Sequence, residues 1–167
     1  MDVIVKKVLV PIDFSDGSRK AFYVGLKYAR FFDAETFVLL VQEPMATFDS
    51  SHEHMEIAAN ELAQLEEGVK HRVNELFEKG GLDEVDRRRV KVDVRGGKPF
   101  IEIVRFAHEE GCDLIVMGTH GHTGIKHIFL GSTAERVVRR AHCPVLIVKP
   151  DDFEFKPFER VPKKFQV

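Results

Sequence analysis

Apolar residues in this chain fall into two patterns that alternate along its length: short unbroken runs, and longer stripes at three- and four-residue spacing. The first run lies within residues 3–12, where Val8-Leu9-Val10 has no polar interruption, as expected of a strand covered on both faces. Pro11-Ile12-Asp13-Phe14-Ser15 then turns the chain. Ser15 or Asp16 caps a predicted helix to about Phe32, with Ala21, Val24, Tyr28 and Phe32 on one face. Thr36-Phe37-Val38-Leu39-Leu40-Val41 reads as a second buried strand, ending at Gln42-Glu43-Pro44. A polar loop from Met45 to His54 leads into a long helix, about Met55 to Lys79, whose stripe is Ala58, Leu62, Leu65, Val69, Val73 and Leu76. Gly80-Gly81 stops that helix, and Asp86-Arg87-Arg88-Arg89 reads as a solvated turn.

Val90-Lys91-Val92-Asp93-Val94 alternates strictly, which predicts a half-exposed strand at a sheet edge. Gly96-Gly97-Lys98-Pro99 turns into a helix to about Glu110, with Phe100, Ile103, Val104 and Ala107 inward. Leu114 to Met117 is the fourth run and Val145 to Val148 the fifth. Between them a helix from Thr133 to Ala141 faces Ala134, Val137, Val138 and Ala141 inward, and Ser132 with Glu135 has the spacing of a capping box. Strands alternating with helices predict a single α/β domain. Its doubly wound five-stranded parallel sheet has order 3-2-1-4-5, helices on both faces and right-handed crossovers. That order sets Asp13 and Gly118 across a topological switch point, where open sheets of this kind hold ligands.

Size and charge narrow the picture. At 167 residues the chain reads as one domain, and a net charge of −2 with a pI of about 6.4 makes no electrostatic case for nucleic acid or an acidic membrane. No apolar stretch approaches the roughly 20 residues of a membrane span, and the start has no leader-like pattern, so the expected location is the cytosol. Cys112 and Cys143 make no zinc or CxxC pattern; two reduced thiols or a disulfide across neighbouring strands both suit their spacing, and a cytosolic setting favours the thiols. His52 and His54 suggest a metal pair, but without a third ligand they read as solvated loop residues. Beyond Pro150, Phe153, Phe155, Phe158 and Phe165 make an extension too apolar for a typical disordered tail, so 150–167 is set apart from the domain of 1–149.

The candidate chemistry sits between the fourth run and the last helix. Gly118, Gly121, Gly124 and Gly131 link the strand to the helix start, and such a layout holds phosphate: glycine admits close backbone approach and a helix N-terminus offers unpaired N–H donors. It is neither a Walker A loop, because no lysine stands between Gly131 and Ser132, nor a Gly-x-Gly-x-x-Gly fingerprint. Ile125, Ile128, Phe129 and Leu130 are apolar enough to pin the loop to the domain. His120, His122, Lys126 and His127 suit either phosphate contacts or an exposed polar face, and none has a carboxylate spaced to make it a general base.

Gly118-x2-Gly121-x9-Gly131-Ser132 resembles the signature of the ATP-binding branch of the universal stress protein family. The resemblance covers about residues 5 to 149, including Val8-Leu9-Val10-Pro11-Ile12-Asp13-Phe14-Ser15. On the residues alone, Asp13 is either a ligand or an acid serving the helix start, and Val41 reads as core. The resemblance implies that Asp13 meets a ribose with Pro11 lining the pocket, and that the Val41 backbone meets adenine. Met117, Gly118, Gly121, Gly131, Ser132 and Thr133 would meet the rest of the nucleotide, ATP with Mg2+ bridging its phosphates. Gln42 is more polar than the family's usual choice. The resemblance further implies a cytosolic stress or energy-response protein that signals to a partner and dimerises through its last strand; the Phe-rich extension, beyond the part the resemblance covers, is expected to wrap over that interface or the partner subunit. Two alternatives stay open: a slow ATPase or phosphoryl-transfer enzyme, for which no base is identified, and a nucleotide-free dimeric interaction module.

Overall fold

Each unbroken apolar run is a strand, and all five pair in parallel. The computed structural model describes residues 4–43, 52–119 and 130–151, of which 52–59 in backbone only. The strands are β1 (Lys7–Pro11), β2 (Glu35–Gln42), β3 (Val90–Gly96), β4 (Leu114–Gly118) and β5 (Val145–Val148), in the order β3-β2-β1-β4-β5. The helices are α1 (Asp16–Phe32), α2 (His52–Gly80), α3 (Glu84–Arg88), α4 (Pro99–Glu109) and α5 (Ser132–Arg140). Register runs Leu9 opposite Phe37 on one side of β1 and Leu9 opposite Ile115 on the other.

Successive strand residues feed two separate cores, as the two-residue period demands. Val8, Val10, Val38 and Val116 pack with α1 and α2; Leu9, Phe37, Leu39, Ile115 and Met117 pack with α4 and α5. Because both faces are covered, the central strands show no polar alternation, whereas β3 at the edge has an exposed Lys91 between half-buried valines.

Several details depart from the sequence reading. The buried face of α1 is Ser18, Ala21, Phe22, Gly25, Leu26 and Ala29, leaving Tyr28 40% exposed. Small residues set this face: a Cβ on Gly25 would stand 2.5 Å from Val10 Cγ2, so only glycine lets α1 lie this close to β1. The expected solvated turn at 86–89 overlaps α3, which Asp83 caps by accepting from the N–H groups of Val85 and Asp86, both at 3.0 Å. Asp86 turns inward to 3% exposure because Arg30 reaches it at 3.0 Å while also holding Asp83 at 2.8 Å. α2 begins at His52, so His52 and His54 are helical rather than loop residues; their side chains lie outside the described residues. Val138 is 46% exposed, not inward, because the short α5 buries only Ala134 and Val137.

The capping box at Ser132 does not form. The N-cap is Gly131, whose carbonyl accepts the first helical bond from Glu135 N–H at 2.9 Å; Ser132 is therefore already inside the helix. The Glu135 carboxylate turns instead to Arg139 at 3.0 Å.

Candidate functional site

A crevice of about 300 Å3 opens at the carboxyl ends of β1 and β4, where the strand order reverses. This is the lower end of the volume range of small-molecule sites, about 300–1,000 Å3. Pro11 and Asp13 line it from β1, Val41 from β2, Met117 and Gly118 from β4, and Gly131, Ser132 and Thr133 from the start of α5. Eight of the nine expected site residues thus converge; Gly121, with His120, His122, Lys126 and His127, lies outside the described residues.

Unequal strand length creates one end of the crevice. β1 stops at Pro11, opposite Leu39, while β2 runs on to Gln42. Ile12 N–H closes the last β1 bond, on Leu39 carbonyl at 2.8 Å, and Gly97 N–H takes Gln42 carbonyl on the β3 side at 2.9 Å. Backbone groups of alternate residues in a parallel strand point to opposite neighbours. Leu39 points to β1 and Gln42 to β3, so Val41 presents its N–H and C=O side by side toward the place β1 has vacated. An adjacent donor and acceptor there suit the edge of a heterocyclic base.

The opposite end is a helix start without a side-chain cap. Gly131 donates its N–H to Thr119 carbonyl at 2.8 Å, tying α5 to the end of β4. As the N-cap it has no side chain to satisfy the first-turn N–H groups, which makes the start of α5 an anion site in the general sense. Gly118 has a packing reason of its own: a Cβ would lie 2.9 Å from the carbonyl carbon of Gly17, so the end of β4 and the start of α1 touch backbone to backbone.

Asp13 stands between the two ends in a tight hydrogen-bond network. Its Oδ1 accepts from Ser15 N–H at 2.9 Å and from Ser15 hydroxyl at 2.5 Å, and its own N–H donates to Ser18 hydroxyl at 3.3 Å. The helix-start reading of Asp13 is therefore real, and it coexists with a place on the crevice wall. Phe14, the next residue, is fully buried with φ of 62°, a conformation a bulky side chain holds only when its surroundings enforce it. Arg72 of α2 covers its ring at 3.7 Å.

Sequence reasoning missed Ser18, Glu43, Thr119 and, on α4, Pro99 and Ile103, all of which line the crevice. The spacing Ser15-x-x-Ser18 at a helix start was a legible signal for the first. The α4 residues were not legible, because only the sheet brings that helix over the crevice. Among the described residues no cluster of His, Cys, Asp and Glu has a metal-binding arrangement, and no helix is long and apolar enough to cross a membrane. Cys112 and Cys143 are free thiols just before the amino ends of β4 and β5, and burial pushes the Cys112 thiol up to about 12.

Sheet order, covered faces and a switch-point crevice define a doubly wound α/β domain. The chain belongs to the universal stress protein family, whose model matches residues 5–149. Universal stress protein MJ0531 of Methanocaldococcus jannaschii is 38% identical over 148 residues, 87% of this chain and 83% of that protein. MJ0577 of the same organism is 35% identical over 168 residues, 89% of this chain and 98% of that one. The solved MJ0577 structure superposes with a TM-score of 0.64 at 33% identity, covering 90% of this chain and all of that one (100%). A universal stress protein in complex with cAMP shares the fold at 23% identity, with a TM-score of 0.62 over 87% of this chain and 97% of that chain.

Proposed function

We propose that this chain is an ATP-binding stress-response protein that holds the nucleotide in the crevice between β1 and β4. The observation that carries the reading is the pairing of two complementary ends: the open donor–acceptor pair of Val41 and the side-chain-free helix start at Gly131. Val41 takes the adenine edge, Pro11 and Met117 supply apolar walls, and the Asp13 carboxylate accepts from ribose hydroxyls. The N–H groups at Gly131, Ser132 and Thr133, with the Ser132 hydroxyl, take the phosphates, beside Gly118. Gly121 joins this set by its place in the motif. ATP supplies a base edge, two ribose hydroxyls and a polyanionic tail, whose oxygens Mg2+ bridges.

In this reading the protein works in the cytoplasm, nucleotide state sets contact with a signalling partner, and two copies join through β5. Among the described residues that strand is one of the sheet's two edges, and an edge strand is a template for a second copy. The Phe-rich extension, whose residues 152–167 lie outside the described residues, covers the interface; truncation at Pro150 should then weaken the dimer in equilibrium sedimentation.

Calorimetric titration of ATP with Mg2+ into wild type and Gly131→Val tests the nucleotide reading. At φ −58° and ψ 152° valine is sterically allowed, so the fold should survive while phosphate is pushed away. Loss of affinity by about tenfold or more, with an unchanged melting temperature, is expected. Absence of binding to wild type freed of co-purified nucleotide would leave the nucleotide-free module as the better account.

A further inference from the structure

Arg105 and Arg139, on α4 and α5, each hold a carboxylate, Glu102 at 2.7 Å and Glu135 at 3.0 Å. Arg136 and Arg140, their neighbours, make no ion pair among the described residues. Both instead bring their guanidinium groups to one ring, 4.9 and 5.6 Å from the centroid of Phe100. Two like charges drawn to one aromatic ring repel, and the ring's negative quadrupole offsets that only in part. With a chain net charge of −2, this local excess of positive charge is set against the general balance.

Its place in the fold says what it is for. Phe100 is the second residue of α4, directly after Pro99, which lines the crevice. Arg136 and Arg140 follow Ser132 by one and two turns on the same face of α5, and helical side chains lean toward the N-terminus. The two guanidinium groups therefore gather at Phe100, one residue along from the crevice-lining Pro99, with Arg140 reaching it from the last turn of α5.

We propose that Arg136 and Arg140, stacked on Phe100, form an anion subsite for the distal phosphates of a nucleoside triphosphate. The crevice then selects triphosphate over monophosphate. This rests on the nucleotide reading above and deepens it. Helix N–H groups hold the proximal phosphates, and the planar guanidinium forks, aligned by the ring, take the outer ones in charge-assisted hydrogen bonds.

The experiment titrates ATP and AMP, each with Mg2+, into wild type, Arg136→Gln/Arg140→Gln and Arg136→Lys/Arg140→Lys. Arg88→Gln, at another exposed arginine with no ion pair among the described residues, lies beside the amino end of β3 at the opposite edge of the sheet and serves as the charge control. Wild type should prefer ATP. The glutamine pair should weaken ATP by about tenfold or more and AMP by less than about twofold, while the lysine pair recovers part of the loss. Arg88→Gln should change neither ratio. Equal effects on both nucleotides, or none, would overturn the subsite and leave the crevice reading standing. Wild type that binds neither nucleotide overturns both. Should the double variant melt early, Arg136→Gln alone decides by the same ratio.

Discussion

Gly25 sits in mid-helix where α1 comes closest to the sheet, and its replacement by alanine has two opposing effects. Alanine favours the helix by about 1 kcal/mol over glycine. Against this, the new Cβ would stand 2.5 Å from Val10 Cγ2, while the next atoms, Val116 Cβ at 3.6 Å and Val10 Cβ at 3.9 Å, are at ordinary contact. Val10 is fully enclosed at 0% exposure and has no room to rotate away. Overpacking of this kind costs about 1–3 kcal/mol, so Gly25→Ala should destabilise by about 1 kcal/mol net. Val10→Ala alone costs about 2 kcal/mol through lost methyl burial. It also deletes Cγ2, so in that background the helix-propensity term stands unopposed and Gly25→Ala should stabilise by about 1 kcal/mol. The sign reverses. A double-mutant cycle by urea unfolding, at constant m-value, should therefore read a coupling of about 2 kcal/mol. An equal cost for Gly25→Ala in both backgrounds would show that Val10 is not the obstacle, and the account of how α1 is seated would be wrong.

Gly118→Ala places a Cβ 2.9 and 3.0 Å from the carbonyl carbon and oxygen of Gly17, backbone atoms with no rotamer to change. It should cost about 1–3 kcal/mol in thermal unfolding, and its loss of nucleotide affinity should track that cost, unlike Gly131→Val. Arg30→Ala strands the Asp86 carboxylate, whose side chain is only 4% exposed, and should cost about 2 kcal/mol. Adding Asp86→Ala should recover part of that stability in the same denaturation assay. The Cys112 thiol, moved from its ordinary 9.0 to about 12 first by burial and then by the nearby Cys143, stays protonated in the fold longer than in the unfolded chain. Stability is therefore complete below about 9 and falls as pH rises toward about 12, since the unfolded state binds fewer protons in that window. Tyr23, raised mainly by burial, adds to the same trend. Urea unfolding just below and well above pH 9.0 should show the slope, and Cys112→Ala should flatten it.

The strand positions and the edge position of β3 were legible because each rests on period, unbroken runs for covered strands and alternation for the half-covered one, and the sheet order followed from the doubly wound pattern assumed for them. The face of α1 was not. A count of apolar residues selects Ala21, Val24, Tyr28 and Phe32, but the helix seats itself on Ser18 and Gly25, whose contribution is small size. α3 escaped for a related reason. Three arginines beside acids look solvated until Arg30, far away in sequence, neutralises Asp86 and draws it inward. At the crevice, the helix after the glycine-rich stretch was legible, yet its cap assignment slipped by one residue, and Gly121 and Gly124 lie outside the described residues. Ser132 and Glu135 have the right spacing, but Gly131 carbonyl takes the first helical bond.

The sequence by itself determined the alternation of strands and helices, and through it the doubly wound sheet and its switch point. Those features follow from local period and from the handedness of parallel crossovers, which need no knowledge of distant contacts. Only the tertiary structure decided what faces the crevice. Val41 offers its backbone there because β1 ends at Pro11 while β2 continues to Gln42, a difference of strand length that no single segment records. Beside the crevice-lining Pro99, Phe100 meets Arg136 because the sheet carries α4 and α5 on one face. A site made of backbone edges and helix ends is assembled by packing, and packing is a property of the whole chain.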